Sequence, residues 1–131
     1  MSTTKTILVT GGAGFIGSHT AVELINNGFI PVIVDDYRNS DRRIIEGVNS
    51  ITNTEVIVRE IDICELDKLK EVFEEFQFDG IIHFAAYKAV GESVEKPLDY
   101  YRNNILGLLN CLDLAVEFNV RNVVFSSSCT I

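Results

Sequence analysis

Two kinds of hydrophobic pattern alternate along this chain. Short runs of aliphatic and β-branched residues, such as KTILVT at 5–10 and IPVIVD at 30–35, are typical of buried strands. Between them lie longer segments whose apolar residues recur every three or four positions, as on one face of a helix. The predicted strands span residues 5–10, 30–35, 55–60, 79–85 and 121–127, and the predicted helices span residues 14–27, 42–51, 65–76 and 97–119.

This alternation of strand and helix predicts an α/β fold built from parallel strands. The strands are apolar almost throughout, which is typical of a sheet covered by helices on both faces. Right-handed crossovers then produce a doubly wound parallel sheet of the Rossmann type, whose ligands bind at the carboxyl ends of the strands. We therefore expect residues 1–131 to form one Rossmann domain in which about five strands are present.

Composition narrows the possible functions. Of the 131 residues, 47% are hydrophobic and 23% are charged, as in an ordinary globular domain. The net charge of −8 and the lack of a basic run argue against nucleic-acid and membrane partners. Cys64, Cys111 and Cys129 lack the spacing of a metal site or a redox pair, so we predict no metal. Free cysteines and the absence of a signal-peptide pattern predict a cytoplasmic protein.

A glycine-rich turn joins the first predicted strand to the first predicted helix. Gly11, Gly12, Gly14 and Gly17 satisfy both Gly-x-x-Gly-x-x-Gly and Gly-x-Gly-x-x-Gly. Residues without a β-carbon let the backbone turn tightly and approach a pyrophosphate, which the helix N-terminus holds through its free N–H groups and its dipole. The alternative is a purely structural turn, because glycine is common in turns.

An acidic pair follows the second predicted strand. Asp35 lies 21 residues after Gly14, close to the spacing of about 20 residues expected for the carboxylate that accepts the ribose hydroxyls of a dinucleotide. Asp35 and Asp36 should repel the 2′-phosphate of NADP, which favours NAD. Three arginines between residues 38 and 43 could instead hold that phosphate, so NADP stays the alternative.

The glycine segment and three later segments resemble a known family. GGAGFIGSHT at 11–20 is similar to the opening of the extended short-chain dehydrogenase/reductase superfamily. HFAAYKAVGES at 83–93, KPLDYYRNN at 96–104 and FSSSCT at 125–130 are similar to segments of UDP-glucose 4-epimerases. The KAVGES part is the most discriminating of these, and the resemblance covers essentially the whole chain.

The resemblance implies an enzyme that keeps NAD bound while hydride leaves C4 of a UDP-hexose and returns to its other face. UDP-glucose and UDP-galactose would then interconvert through a 4-keto sugar. It also implies NAD-binding roles for residues of the glycine turn, the strand ends and the last helix. These residues are Gly11, Gly14, Phe15, Ile16, Gly17, Asp35, Asp36, Asn39, Ser40, Asp62, Ile63, Phe84, Ala85, Ala86, Lys88 and Asn103.

The resemblance further implies that sugar chemistry takes place after the fifth strand. Ser128 matches the serine that binds the 4-hydroxyl of the sugar and relays its proton, and Thr130 lies beside it. Lys88, Ser128, Cys129 and Thr130 would contact the UDP-sugar. From the residues themselves simpler roles stay open: Lys88 as an ordinary loop lysine, the serines as caps of a strand end, and Asn103 as a polar residue on a helix face.

Some positions depart from the family pattern. Asp36 replaces an Asn, Ala86-Tyr87 replaces Gly-Leu, and Cys129 replaces a small Ala. A larger departure is that none of the four tyrosines begins a Tyr-x-x-x-Lys pair, which supplies the proton acceptor in the family. His83 is expected to hydrogen-bond the backbone near the sheet rather than to act in catalysis.

These departures predict a fragment that is inactive alone. It would hold the NAD-binding part and lack the C-terminal part of the family fold, including the domain that grips the UDP-sugar. The family implies a homodimer for the full-length enzyme, formed through helices that include the one at 97–119. The alternatives are a non-catalytic NAD-binding remnant, or another sugar-nucleotide epimerase or dehydratase of the same superfamily.

Overall fold

The computed structural model describes residues 4–11, 15–36, 42–84 and 97–125, without the side chains of 15, 16, 97–104 and 125. The strands in these ranges are β1 (Thr6–Thr10), β2 (Ile30–Val34), β3 (Ile57–Arg59), β4 (Gly80–His83) and β5 (Asn122–Phe125). The helices are α1 (Phe15–Asn26), α2 (Arg42–Thr52), α3 (Leu66–Glu75) and α4 (Pro97–Glu117). Their order confirms the predicted alternation, and their ends agree with the predicted ones to within about two residues.

The five strands form one parallel sheet in the order β3-β2-β1-β4-β5. β1 is the central strand, and its Leu8 is in register with Val32 of β2 and Ile81 of β4. From β1 the chain first winds outward through β2 and β3, and then crosses to the other side to form β4 and β5. This order confirms the doubly wound Rossmann sheet.

Helices cover both faces of this sheet. Leu8 faces the core that contains Phe73 of α3 and Leu114 of α4. The next residue, Val9, faces the opposite core, which contains Ile45 of α2 and residues of α1. Both β1 residues are completely buried, because successive side chains of a strand point to opposite faces and each face has its own layer of helices.

The last helix ends in a left-handed turn. Asn119 has a φ of 58° after α4. The Val120 N–H donates back to the carbonyl of Ala115 at 2.7 Å, the long bond of a Schellman motif. The turn explains why α4 ends at Glu117 rather than at the predicted residue 119. Within the described ranges, no helix combines the length and apolar character needed to cross a membrane.

A buried polar pair joins β1 to β4 at their carboxyl ends. Thr10 and His83 are register partners, with 0% and 7% of their surface exposed. The Phe84 N–H donates to Thr10 Oγ1 at 3.2 Å, and the same hydroxyl shares a hydrogen bond with His83 Nδ1, 2.7 Å away. His83 lies in the sheet as predicted, but this partner is a side-chain hydroxyl rather than a backbone group.

We expect acid to destabilise the fold through His83. Burial lowers its pKa from 6.5 to about 4 because the charged imidazolium loses its water. The unfolded state therefore binds more protons between these values, so the stability present above pH 6.5 is lost as the pH falls toward 4. From pH 7.5 to pH 5 the loss is about 2 kcal/mol.

Urea unfolding at the two pH values measures this loss. The wild-type protein should show it, whereas His83→Gln, which cannot titrate, should not. His19→Gln is the matched control, because His19 is exposed. An undiminished loss in His83→Gln would contradict the prediction.

Candidate functional site

The carboxyl ends of the strands lie along one edge of the sheet. β1 and β4 are neighbours there, but the chain continues from β1 toward α1 and β2, and from β4 toward α4 and β5 on the other side. In doubly wound sheets such a divergence leaves a crevice between the two strand ends, which is the usual ligand position. Gly11 follows β1 and Phe84 follows β4, so the segments that begin with these residues flank the crevice.

The turn after β1 begins in a conformation that favours glycine. Gly11 has a φ of 74°, in the left-handed region where a β-carbon is strained. Its N–H donates to the carbonyl of Val34 at 2.8 Å, which extends the pairing of β1 with β2 by one residue. Gly14, with residues 12 and 13, lies outside the described residues. The left-handed φ of Gly11 therefore explains why the first position of the motif is a glycine.

Helix α1 begins directly after this turn. Phe15 and Ile16 are its first two residues, and the first N–H groups of a helix have no intrahelical acceptor. Gly17 is buried one residue later. The amino end of α1 therefore lies at the edge where a phosphate-bearing ligand is expected, and its dipole favours an anion there.

Carboxylates follow β2. Asp35 and Asp36 are both partly exposed, and the Asp35 N–H donates to the carbonyl of Arg59 at 3.3 Å, which ties the end of β2 to the end of β3. Two further residues predicted to bind NAD, Asn39 and Ser40, lie outside the described residues. Asp35 is thus held by its backbone at the position predicted for the ribose carboxylate.

The arginines that raised the NADP alternative lie close to this strand end in sequence. Arg42 opens α2 and forms an ion pair with Glu60, which follows β3. Both side chains of the pair are exposed, and so is Arg43. Arg38 lies outside the described residues. The guanidinium of Arg42 is therefore already paired with a carboxylate of this chain.

The turn after β3 is tightly hydrogen-bonded. The Asp62 carbonyl accepts from the Glu65 N–H at 2.9 Å, and Asp62 Oδ1 accepts from the Cys64 N–H at the same distance. The carbonyl of Ile63 accepts from Asn110 Nδ2 of α4 at 2.8 Å. Ile63 is buried and Asp62 is partly exposed at the edge. The structure thus brings Asp62 and Ile63, both predicted to bind NAD, to the carboxyl edge.

Sequence reasoning missed the role of α4 in this turn. Asn110 is 5% exposed and interrupts the apolar face of the helix, which is the one signal that could have singled it out. Gly107 lies one turn earlier, and a β-carbon there would be 2.6 Å from Cδ1 of Ile63. The contact needs a helix without a side chain at that point, and glycine inside a helix is otherwise unfavourable.

The structure describes only some of the remaining positions predicted to bind NAD or the sugar. The Phe84 N–H donates to the Thr10 carbonyl at 2.9 Å, and its side chain is partly exposed. Asn103 lies in α4, seven residues into the helix counted from Pro97. The residues that lie outside the description are Ala85, Ala86, Lys88, Ser128, Cys129 and Thr130.

The floor below the crevice is neutral. Burial lowers the pKa of His83 to about 4. Burial is also the main cause that raises the pKa of Cys111 to about 12, and the nearby Cys64 adds to it. Both groups are therefore uncharged at neutral pH, with Cys111 Sγ 3.9 Å from His83 Nδ1. The carboxylates that follow β2 and β3 lie at the edge of the sheet, where Arg42 pairs with one of them, Glu60. With the amino end of α1, they suit a long ligand that has an anionic centre and hydroxyl and amino groups at its flanks.

Comparison with known sequences places the chain among proteins of this architecture. The family described as "NAD dependent epimerase/dehydratase family" matches residues 7–131. A UDP-glucose 4-epimerase of Caenorhabditis elegans is 47% identical over 95% of the chain, and one of Dictyostelium discoideum is 50% identical over 95%. The chain spans 38% and 36% of the lengths of these two relatives.

A solved structure shows the same arrangement. The UDP-glucose 4-epimerase of Bifidobacterium longum, crystallised in complex with NAD+ and UDP, superposes with a TM-score of 0.91 at 45% identity. The superposition covers 97% of this chain and 38% of that one. Because the family match takes in nearly the whole sequence, and the sheet order and glycine turn agree with it, the chain belongs to the NAD dependent epimerase/dehydratase family.

Proposed function

We propose that this chain forms the NAD-binding part of a UDP-glucose 4-epimerase. The observation that carries the proposal is the close superposition on an epimerase that binds NAD+ and UDP, with 45% of residues identical. The carboxyl edge supports it, because a helix N-terminus and two groups of carboxylates stand where such a dinucleotide would need them. Residues 1–131 would act as one NAD-binding domain.

The described residues fit NAD by the chemistry of their donors and acceptors. Amides of Phe15 and Ile16 at the start of α1 would hold the pyrophosphate. Asp35 would accept hydrogen bonds from the adenosine ribose, and Asp62 with Ile63 would meet the adenine. Bound NAD supplies reversible hydride transfer, by which UDP-glucose and UDP-galactose interconvert through a 4-keto sugar without net oxidation.

NAD suits this site better than NADP. The carboxylates of Asp35 and Asp36 would repel a 2′-phosphate at the end of β2. Arg42, which could offset that repulsion, is paired with Glu60 and so is partly neutralised. The acidic strand end therefore decides the preference.

The remaining roles rest on the family resemblance. Lys88 and Asn103 would bind the nicotinamide half, with Ala85 and Ala86 beside it. Ser128 would hold the sugar 4-hydroxyl and pass on its proton, because a hydroxyl both donates and accepts a hydrogen bond. Thr130 would assist Ser128. Cys129, together with these hydroxyls and Lys88, would contact the UDP-sugar, and the enzyme would serve galactose metabolism in the cytoplasm.

A second function for the isolated chain is dinucleotide binding without turnover. The observation that favours it is in the sequence: no tyrosine is followed four residues later by lysine. A phenol has a pKa near 10 and needs a neighbouring cation to act as a proton acceptor at neutral pH. Without that pair, the chain would bind NAD and leave sugars unchanged.

We further propose that α4 contributes to a homodimer. Ile105, Leu109 and Val116 are 56%, 49% and 84% exposed on this helix. Spacings of four and seven residues place them on one side of α4, so they form an apolar stripe. An exposed stripe of large apolar side chains is typical of a protein interface.

A chimera tests the enzymatic assignment. Residues 1–131 would replace the corresponding segment of the Caenorhabditis elegans relative, which is 47% identical. The chimera should convert UDP-galactose to UDP-glucose, and Ser128→Ala should lower its kcat about 100-fold because proton relay is lost. The 131-residue chain and a heat-inactivated chimera are the blanks. A chimera that binds NAD but does not convert the sugar would leave only the binding function.

Asp35→Ala tests the cofactor assignment. Loss of charge-assisted hydrogen bonds to the ribose should weaken NAD binding about 10- to 100-fold, measured by calorimetry on the 131-residue chain. Asp113→Ala is the matched control, because Asp113 is exposed on α4 and the change removes the same charge. Equal Kd values for wild type and Asp35→Ala would make the ribose assignment wrong.

Leu109→Glu tests the dimer. A carboxylate in the stripe should shift the chain from dimer to monomer in light scattering, because each subunit would bury a charge in an apolar contact. Ile51→Glu is the control, since Ile51 is 73% exposed on α2 and away from the stripe. A wild-type chain that is monomeric at micromolar concentrations would refute the homodimer for this chain.

A further inference from the structure

Asn110 is a polar residue in an apolar position. It lies near the middle of α4, is 5% exposed, and is followed by Cys111, which is fully buried in the core between α4 and the sheet. A buried amide is costly unless it is hydrogen-bonded. The Nδ2 of Asn110 donates to the carbonyl of Ile63 at 2.8 Å and thereby joins positions 47 residues apart in sequence.

This hydrogen bond holds the turn after β3, which is proposed to contact the adenine base. In this turn the Asp62 carbonyl, Asp62 Oδ1 and the Ile63 carbonyl are all engaged, by Glu65, Cys64 and Asn110. Among the described residues, no acceptor is found for the Ile63 N–H. A backbone donor thus lies beside the Asp62 carboxylate, which is an acceptor. This pair complements a 6-aminopurine, whose N1 accepts and whose 6-amino group donates.

The packing of α4 removes the remaining freedom of the turn. A β-carbon on Gly107 would lie 2.6 Å from Cδ1 and 2.9 Å from Cγ1 of Ile63. The helix therefore presses against the Ile63 side chain at Gly107 and holds its carbonyl at Asn110, one turn further along. The Ile63 N–H lies antiparallel to the Asp62 carbonyl in their shared peptide plane, and that carbonyl is held by Glu65. Helix α4 therefore fixes the position of Ile63, and the bond from Glu65 fixes the direction of its N–H.

We propose that Asn110 is a positioning residue for base recognition: by holding the Ile63 carbonyl, it keeps Ile63 at the distance where its N–H can meet the N1 position of an adenine whose amino group meets Asp62. This role rests on the proposed binding of NAD. Asn110 itself would not touch the cofactor. Its effect would be selectivity for adenine over a 6-oxopurine, in which N1 carries a proton and the 6-position is an acceptor.

Binding of two dinucleotides to the 131-residue chain tests the role. One is NAD and the other is nicotinamide hypoxanthine dinucleotide, which differs in replacing the 6-amino group by an oxygen. The wild-type chain should bind NAD about tenfold more tightly, the discrimination that one or two directed hydrogen bonds give. Asn110→Leu, of similar size but without a donor, should bind the two within about twofold of each other.

Two further variants separate positioning from general destabilisation. Asn110→Ser is smaller and polar, too short to keep the bond to Ile63, and should lose the same preference even if Asn110→Leu folds poorly. Asn49→Leu is the control, because Asn49 Oδ1 also bonds a backbone group, the Val56 N–H, at 2.8 Å, but ahead of β3 rather than after it. It should lower stability and leave the ratio of the two Kd values at its wild-type value.

The outcomes distinguish the two proposals. A wild-type chain that binds NAD with the preference, and Asn110 variants that keep it, would overturn the role of Asn110 while NAD binding stands. A wild-type chain that binds both dinucleotides equally would also overturn it. A wild-type chain that binds neither dinucleotide would refute the proposed NAD function itself, and base selectivity with it.

Discussion

Parallel pairing of β1 with both of its neighbours is the constraint on which the candidate site depends. The pairing runs past the strands themselves: Gly11 donates to Val34 on one side, and Phe84 donates to Thr10 on the other. The Thr10 hydroxyl adds a buried bond to His83. The segments after β1 and β4 therefore each start from an anchored residue, Gly11 and Phe84, at the edge where ligands bind in doubly wound sheets.

The side chains beneath the crevice between β1 and β4 are uncharged, whereas those at its rim are charged. Below it, the buried His83 and Cys111 are neutral at physiological pH, so they satisfy hydrogen bonds without adding charge. Above it, Asp35 and Asp62 provide the negative charge and the amino end of α1 provides the positive end of a dipole. Because His83 and Cys111 are uncharged, the electrostatic field at the sheet edge depends on these groups. Such a field suits a ligand with separate anionic and hydroxyl-bearing parts.

Helix α4 does more than cover one face of the sheet. Leu114 packs in the core, Gly107 and Asn110 hold Ile63, and the exposed Leu109 lies in the apolar stripe on its surface. These contacts lie within two turns of one another. One helix therefore connects the turn proposed to contact adenine with the surface proposed to form a dimer.

The sequence by itself determined the elements and their order, and it predicted where the site lies. Strand and helix periodicities are local, and Gly11 and Asp35 are recognisable because a tight turn and a strand-end carboxylate depend on near neighbours in the chain. Only the tertiary structure decided that His83 pairs with Thr10 and that Asn110 holds Ile63. The reason is physical: these partners lie 73 and 47 residues apart, and a polar residue on an apolar face reveals that it needs a partner but not which group supplies it.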